Sequence, residues 1–457
     1  MTTGTQRRVL VLGGGTAGLL TAHVLAEYAD SVTVVERDAL PPGPEHRPGV
    51  PQAHHLHVVL PGGQQALDGL LPGVVQELCA HGAFRIGIPR DAVLWSAGSW
   101  TRRFPTTMHL LSCTRPLLDW VVRERVRKHP RIRLVDRTAA VALLGDATRV
   151  SGVRVSARET GPRDPYDLHA ALVVDATGRS SAAPKWLAAL GPAVPPAECV
   201  DPGLSYTTVQ YKGAPGSDAP FLGVHIQPDR NHPRGAVLLP VEADRWILTA
   251  YGMRGHEPPT DQAGVLRFLG GLADPVLHEW ARHNEPAAPP RGFRNTANRR
   301  YLYERAGTAP SGFLAVGDAC CTFNPVYGQG ISVAALQAVA LRAALSHRQP
   351  GRRTTTRTLQ RAVSTAYRPA WQLATGADLQ YPATTGNRPG VTVLPQQWYI
   401  DRVLARANGN RLIGDALRDV LGLTAPPARL FTPKVAAAVL FAPVPQPLTT
   451  LPLHAEP

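Results

Sequence analysis

Gly13, Gly15 and Gly18 fit the spacing G-x-G-x-x-G, with Thr16 and Ala17 between the last two. At that spacing the first glycine permits a tight turn, the second lets a pyrophosphate approach the backbone, and the third lets a helix pack close to a strand. Free amides and the positive end of the helix dipole then face the phosphates. Farther on stands Glu36, with Arg37 beside it. A carboxylate there can bind a ribose 2′-hydroxyl and disfavours a 2′-phosphate, which selects the ADP-ribose part of FAD or NAD over NADP. An empty glycine-rich turn is the alternative, and the flanking elements weigh against it.

A second constellation lies three hundred residues downstream. Gly317-Asp318 ends an apolar run, and Phe323-Asn324-Pro325-Val326-Tyr327-Gly328-Gln329-Gly330 leads toward a helix at Ile331. Amides at such a turn could hold phosphate, ribitol or the edge of an anionic ring, and the aspartate could accept from a ribitol hydroxyl. NAD needs no second site of this kind. Other chemistries find less support. His54, His55 and His57 lack a nearby carboxylate or cysteine to complete a metal set, so no metal site is expected. No G-x-S-x-G is present for serine hydrolysis.

The elements that must position these residues can be read from apolar periodicity. Val9 to Leu12 is a short buried-strand run, Leu19 to Tyr28 reads as a helix, and Ser31 to Glu36 as a second strand. Leu117 to Lys128 reads as helical, and Arg131 to Val135, Val153 to Val155 and Ala171 to Asp175 as strands. From Val200 to Tyr251, β-rich pieces follow one another without helices, the pattern of a separate antiparallel sheet. Gly312 to Val316 returns to the buried-strand pattern, with a helix from Ile331 to Ser346. After a Gln/Arg/Thr-rich connection from about His347 come helices over Arg357 to Ala374, Gln397 to Ala407 and Arg411 to Leu423. The apolar tail Val435 to Leu451 is broken by prolines and is expected to pack on the body or cover an opening. Trp95, Trp100, Tyr206, Phe221, Trp246 and Tyr251 could line an apolar cavity, although ordinary core packing is the better expectation for each.

Composition bounds the remainder. The chain has 457 residues, room for about three domains or one large elaborated one. Hydrophobic residues make up 44% and charged residues 18%, the balance of a globular chain and not a disordered one. A net charge of +14 is compatible with nucleic-acid binding, yet only four of the 48 basic residues are lysine and the arginines are scattered. No nucleic-acid motif accompanies them, so no nucleic-acid partner is expected. Five cysteines without ligand-like spacing point to a reducing compartment. With no signal-like segment and no long apolar run, a cytoplasmic protein without a membrane span is expected.

GGGTAG with Glu36, the DATGR segment from Asp175 to Arg179, and GDACCTFNPVYGQG from Gly317 to Gly330 resemble the FAD-dependent monooxygenases of the p-hydroxybenzoate hydroxylase fold. RPGVPQAHHLH (Arg47 to His57), FRIGIP (Phe84 to Pro89), SCTRPLLDWVVRE (Ser112 to Glu124) and NRRYLYER (Asn298 to Arg305) are similar to one subgroup, the flavin-dependent polyene epoxidases of polyether biosynthesis. The resemblance covers about residues 7 to 345. It implies an α/β fold: a Rossmann-like FAD domain over 1–85, 105–190 and 291–347, and an inserted, mainly antiparallel substrate domain over 86–104 and 191–290. A C-terminal helical region over 348–457 completes it.

By the same resemblance, Gly13, Gly15, Thr16, Ala17, Gly18, Glu36 and Arg37 would hold the ADP half of FAD. Arg47 would lie in a loop near the flavin, Arg115 on the phosphate or ribityl side, and Asp318 on the ribityl chain. Gly328, Gln329, Gly330 and Ile331 would sit at the pyrimidine edge of the ring, while Asp175 and Gly178 shape the strand end. The implied reaction is epoxidation by a flavin C4a-hydroperoxide of alkenes in a large apolar polyketide, with O₂ as co-substrate and no assigned catalytic side chain. Electrons would come from NAD(P)H directly or through a separate flavin reductase. Hydroxylation of an aromatic polyketide is the alternative, and alkene reduction a weaker one. A halogenase is disfavoured, because no W-x-W-x-I-P segment occurs.

Overall fold

A computed structural model describes residues 7–158, 164–191, 194–213, 221–305, 309–346, 355–386 and 394–454. The apolar run before Gly13 is the strand Arg8–Leu12, buried from Val9 onward. It is the middle strand of a five-stranded parallel sheet in the order Phe313–Ala315, Leu172–Asp175, Arg8–Leu12, Ser31–Val35, Ile132–Val135. A strand covered on both faces must be apolar along its length, which is why the periodicity reads as continuous rather than alternating. Helices Thr16–Ala26, Arg115–Val126 and Gly330–Ser346 contribute to its core.

The first helix begins at Thr16, three residues before the expected Leu19, because the Leu19 amide already donates to the Gly15 carbonyl at 2.9 Å. The glycine motif is therefore part turn and part first helical turn.

A seven-stranded sheet runs in the order Arg291–Phe293, Ser205–Lys212, Arg245–Gly252, Arg234–Val241, Gly223–Ile226, Ala92–Ser96, Ser99–Trp100. All its pairings are antiparallel except that between Gly223–Ile226 and Ala92–Ser96. Its two faces separate by strand alternation. On the outer face Val93, Val224, Leu238, Leu248 and Ala250 pack on helices Gln262–Gly270 and Val276–Arg282 through Val265, Phe268 and Leu277. Trp95, Trp100, Phe221 and Trp246 belong to this outer core and line no cavity toward the first sheet. Tyr206 and Tyr251 lie on the inner face.

Two segments depart from the expected division. Arg291–Phe293, within the span given to the first domain, closes one edge of the second sheet. Ala197–Asp201, within the span given to the second, pairs with Asn298–Tyr301 and Thr385–Gly386 in a separate four-stranded sheet. Local apolar patterning identifies a strand but not its partner.

Toward the C-terminus, Thr356–Asp378 packs along Gly330–Ser346. Helices Leu394–Ala407, Arg411–Leu421 and Pro433–Phe441 share a small core of Tyr399, Val403, Ile413, Ala416, Val420, Val435 and Val439. The connection expected after His347 lies outside the described residues as far as Thr354. The final segment runs extended over the second sheet. Leu448 and Leu451 pack on the outer core, the Trp100 amide donates to the Leu448 carbonyl at 2.9 Å, and Arg103 donates to the Leu453 carbonyl at 2.7 Å. Among the described residues no helix is long and apolar enough to cross a membrane.

Truncation after Phe441 should lower the melting temperature by a few degrees, since Leu448 and Leu451 are partly buried and each contributes about 1 kcal/mol, below the value for a fully buried leucine. Differential scanning calorimetry checks this; an unchanged transition would show that the segment adds nothing to the outer core.

Candidate active site

The Gly13 turn and the Gly317 turn both leave the carboxyl ends of strands in one sheet, separated only by Leu172–Asp175. Crevices outside strand carboxyl ends are where ligands bind in open parallel sheets. The two turns touch. A Cβ built on Gly317, whose φ is +58°, would lie 2.7 Å from the Ala17 Cβ. Within the first turn, a Cβ on Gly18 would stand 1.9 Å from the Gly13 carbonyl oxygen. Only glycine fits there.

Charges line the groove above the first turn. A Cβ at Gly15 would be 3.7 Å from a terminal guanidinium nitrogen of both Arg47 and Arg115. Glu36 accepts from the Gly14 amide at 2.7 Å and pairs with Arg47 at 2.9 Å. Arg47, expected near a flavin, thus makes its contacts with the Glu36 carboxylate and the Gly14–Gly15 turn. Arg37 is exposed and reaches the Gly49 carbonyl at 3.4 Å.

Sequence reasoning missed Asp119, the residue that binds these parts together. From one buried carboxylate it accepts the Thr16 hydroxyl at 2.6 Å and Arg115 Nε at 2.9 Å, and Arg47 approaches at 3.8 Å. The arginines outweigh its burial and hold its pKa below the usual carboxylate range. The available signal was its position four residues after Arg115 on a helix. That helix is itself anchored from the second sheet. Thr114 caps it, donating from its amide to Glu242 at 3.0 Å and from its hydroxyl to the same carboxylate.

At the other end Asp318 is half-buried and faces Arg179, Arg115 and Arg299; burial nevertheless raises its pKa. A Cβ on Gly330 would be 3.9 Å from its carboxylate. Gln329 is buried, and its Oε1 has no hydrogen-bond partner among the described residues. Gly328 has φ +63°, and a Cβ there would press within 2.7 Å of Val58. Ile331 is buried in the first turn of helix Gly330–Ser346. Asp175 is held by Thr177 and Ser181 and shapes its strand end. Two guanidiniums over a glycine turn, an acid at the end of the second strand, a second, half-buried acid and an amide oxygen with no partner among the described residues form a donor and acceptor set that fits FAD.

The inner face of the second sheet closes this groove. Across it Leu94, His225, Val237, Thr249, Thr208 and Arg291 stand in register. Leu56, Val58, Met108 and Leu110 from the first half of the chain pack toward it, only partly buried. Tyr206, Tyr251 and Phe293 meet Val326 of the second turn. Two polar pairs interrupt this surface. His225 Nε2 and the Tyr251 hydroxyl share a hydrogen bond of 2.6 Å, and His55 Nδ1 bonds Thr208 Oγ1 at 2.9 Å. Burial lowers His225 to about 4 and His55 to about 3, so both imidazoles are neutral at pH 7. His57, lowered to about 4, bonds the His55 carbonyl at 2.9 Å.

This architecture is a mixed α/β fold, a parallel Rossmann-like sheet facing a mainly antiparallel one, and solved structures share it. Flavin-dependent brominase Bmp2 superposes on it with a TM-score of 0.69 over 96% of this chain and 98% of its own, at 14% identity. No family model matches the sequence. Protein Rv3254 of Mycobacterium tuberculosis (strain ATCC 25618 / H37Rv) is 31% identical over 408 residues, covering 85% of this chain and 82% of its own, and the chain belongs to that protein's family. The 6-methylpretetramide 4-monooxygenase of Streptomyces rimosus is 32% identical over 182 residues, 39% of this chain and 40% of its own.

Asp119→Asn should cost about 3 kcal/mol at pH 7 by removing the charged partner of Arg115, while Arg47 keeps its pair with Glu36. Because the folded carboxyl is held low, its stabilisation is complete at neutral pH and is lost as the pH falls below about 4. Urea unfolding of both proteins from pH 7 to pH 3 checks this; the gap between them should narrow with acid.

Proposed function

We propose that the protein is an FAD-dependent monooxygenase that transfers one oxygen atom of O₂ to an alkene of a large apolar polyketide or related metabolite. The observation that carries this reading is the contact between the Gly13–Gly18 turn and the Gly317–Ile331 turn in one groove that opens onto an apolar sheet face. Reduced FAD bound there supplies the two electrons that activate O₂.

The chain's own residues do the remaining work. Arg47 and Arg115 neutralise phosphate charge, Glu36 and Asp318 accept sugar and ribityl hydroxyls, and Gln329 offers an amide at the ring end. Leu56, Val58, Leu94, Met108, Leu110 and Val237 exclude water from the reacting face and orient an apolar chain. An isolated alkene has no proton to remove, which suits a mostly apolar wall. Electrons come from NAD(P)H at the flavin face or from a separate reductase.

A second reading, hydroxylation of an aromatic polyketide, draws support from the His225–Tyr251 pair on that same wall. A neutral imidazole bonded to a phenol could meet a substrate hydroxyl. The partial similarity to a 6-methylpretetramide monooxygenase points the same way.

Purified protein should take up FAD, and Arg115→Ala should weaken that uptake about tenfold or more, the scale of a lost charged hydrogen bond. Supplied with reduced flavin and O₂, it should add one oxygen atom to polyene substrates by mass spectrometry. Oxygen insertion confined to phenols would reject epoxidation in favour of the second reading. A protein that binds no flavin would sink both.

A further inference from the structure

Among the described residues, the most densely hydrogen-bonded carboxylate outside the groove belongs to Asp378, the last residue of helix Thr356–Asp378 and fully buried. It accepts Asn298 Nδ2 at 2.6 Å, Asn324 Nδ2 at 3.0 and 3.2 Å on its two oxygens, and the Tyr327 hydroxyl at 2.6 Å. Asn298 in turn accepts the Asn324 amide at 2.8 Å, and Thr384 ties down the Asp378 carbonyl at 2.6 Å. Two of the three donors to its side chain, Asn324 and Tyr327, flank the stretch that runs directly into Gly328–Ile331. Between them Val326 packs against Tyr206 and Tyr251 on the inner sheet face.

A buried acid at a helix C-terminus is an unfavourable choice for stability alone. Burial and the negative end of the dipole both oppose its charge, and its partners are all neutral donors. We propose that Asp378 is a positioning residue: from the C-terminal helical region it fixes Asn324 and Tyr327, and through them sets how the Gly328–Ile331 turn meets the flavin. This rests on the flavoprotein reading above and extends it to a region outside the nucleotide-binding motifs.

The groups facing the carboxylate make it the titrating member of its surroundings. Burial pushes Asp378 up to about 6. Tyr327 and Tyr381 are pushed up by burial and by Asp378, and so stay neutral. Asp201 from the neighbouring strand adds repulsion and is itself paired with Arg254 at 3.1 Å. Tyr251 of the second sheet lies within range of both tyrosines and is also raised. Arg230 and Asp229 act on Tyr381 from the loop after Gly223–Ile226.

The test follows the absorption spectrum and affinity of bound FAD in the full-length protein from pH 5 to pH 8. Wild type should show a spectral transition near pH 6, which Asp378→Asn abolishes. Tyr327→Phe, which removes a donor to the ionised form, should move the transition to higher pH. Asp378→Ala should weaken FAD binding about tenfold or more through lost charge-assisted hydrogen bonds. The proposal is overturned if Asp378→Asn keeps the wild-type transition, or if Asp378→Ala lowers the melting temperature while the bound-flavin spectrum and affinity stay as in wild type. Wild-type protein without bound FAD would overturn the flavoprotein reading as well, whereas bound FAD with a transition shared by Asp378→Asn removes this inference alone.

Discussion

The distance between Ala17 and Gly317 governs the organisation of the molecule. One element begins the chain's first helix and the other follows a strand three hundred residues later, yet they meet so closely that a side chain at Gly317 would collide with the alanine methyl group. Such contact requires the strands Arg8–Leu12 and Phe313–Ala315 to lie in one sheet with only Leu172–Asp175 between them. Everything inserted between those strands in sequence must then emerge and return beside the same crevice. The second sheet is held over the groove for that reason, and not by a flexible tether.

Electrostatics fixes what sterics brings together. Three segments distant in sequence supply Thr16, Arg47 and Arg115, and Asp119 holds all three through one carboxylate. Losing the Asp119 charge would leave Arg115 without its paired carboxylate, so the arrangement is stiff. Glu242 extends the same logic from the second sheet by holding Thr114, the cap of the helix that carries Arg115 and Asp119. The guanidiniums over the glycine turn are thereby set by residues of both sheets.

Much of the fold was legible because buried parallel strands and glycine turns leave strong local signals. Val9 to Leu12, Ala171 to Asp175 and Gly312 to Val316 each form the expected strand, and all three join one sheet. Partners were less legible. Ala197–Asp201 falls within the span expected for the second domain but pairs elsewhere, since its short sequence carries no record of register. In the site, glycines declare themselves by spacing, whereas Asp119 and Asp378 are ordinary acids in helices until tertiary contacts surround them. His225 and Tyr251 were likewise unreadable as a pair, because they meet across two strands that are not adjacent.

The extended C-terminal segment has a bearing on how copies of this protein behave toward one another. Ser99–Trp100 is the last strand of the seven-stranded sheet, and such a strand offers unpaired amides and carbonyls to any passing chain. Here the protein's own backbone occupies part of that position, the Trp100 amide engaged by Leu448 and the Leu448 amide by the Ser99 hydroxyl. Strand addition by a neighbour would first have to peel this segment away. Its prolines, which cannot donate ladder hydrogen bonds, make it a poor template in turn, so the sheet ends in a surface that resists edge-to-edge aggregation.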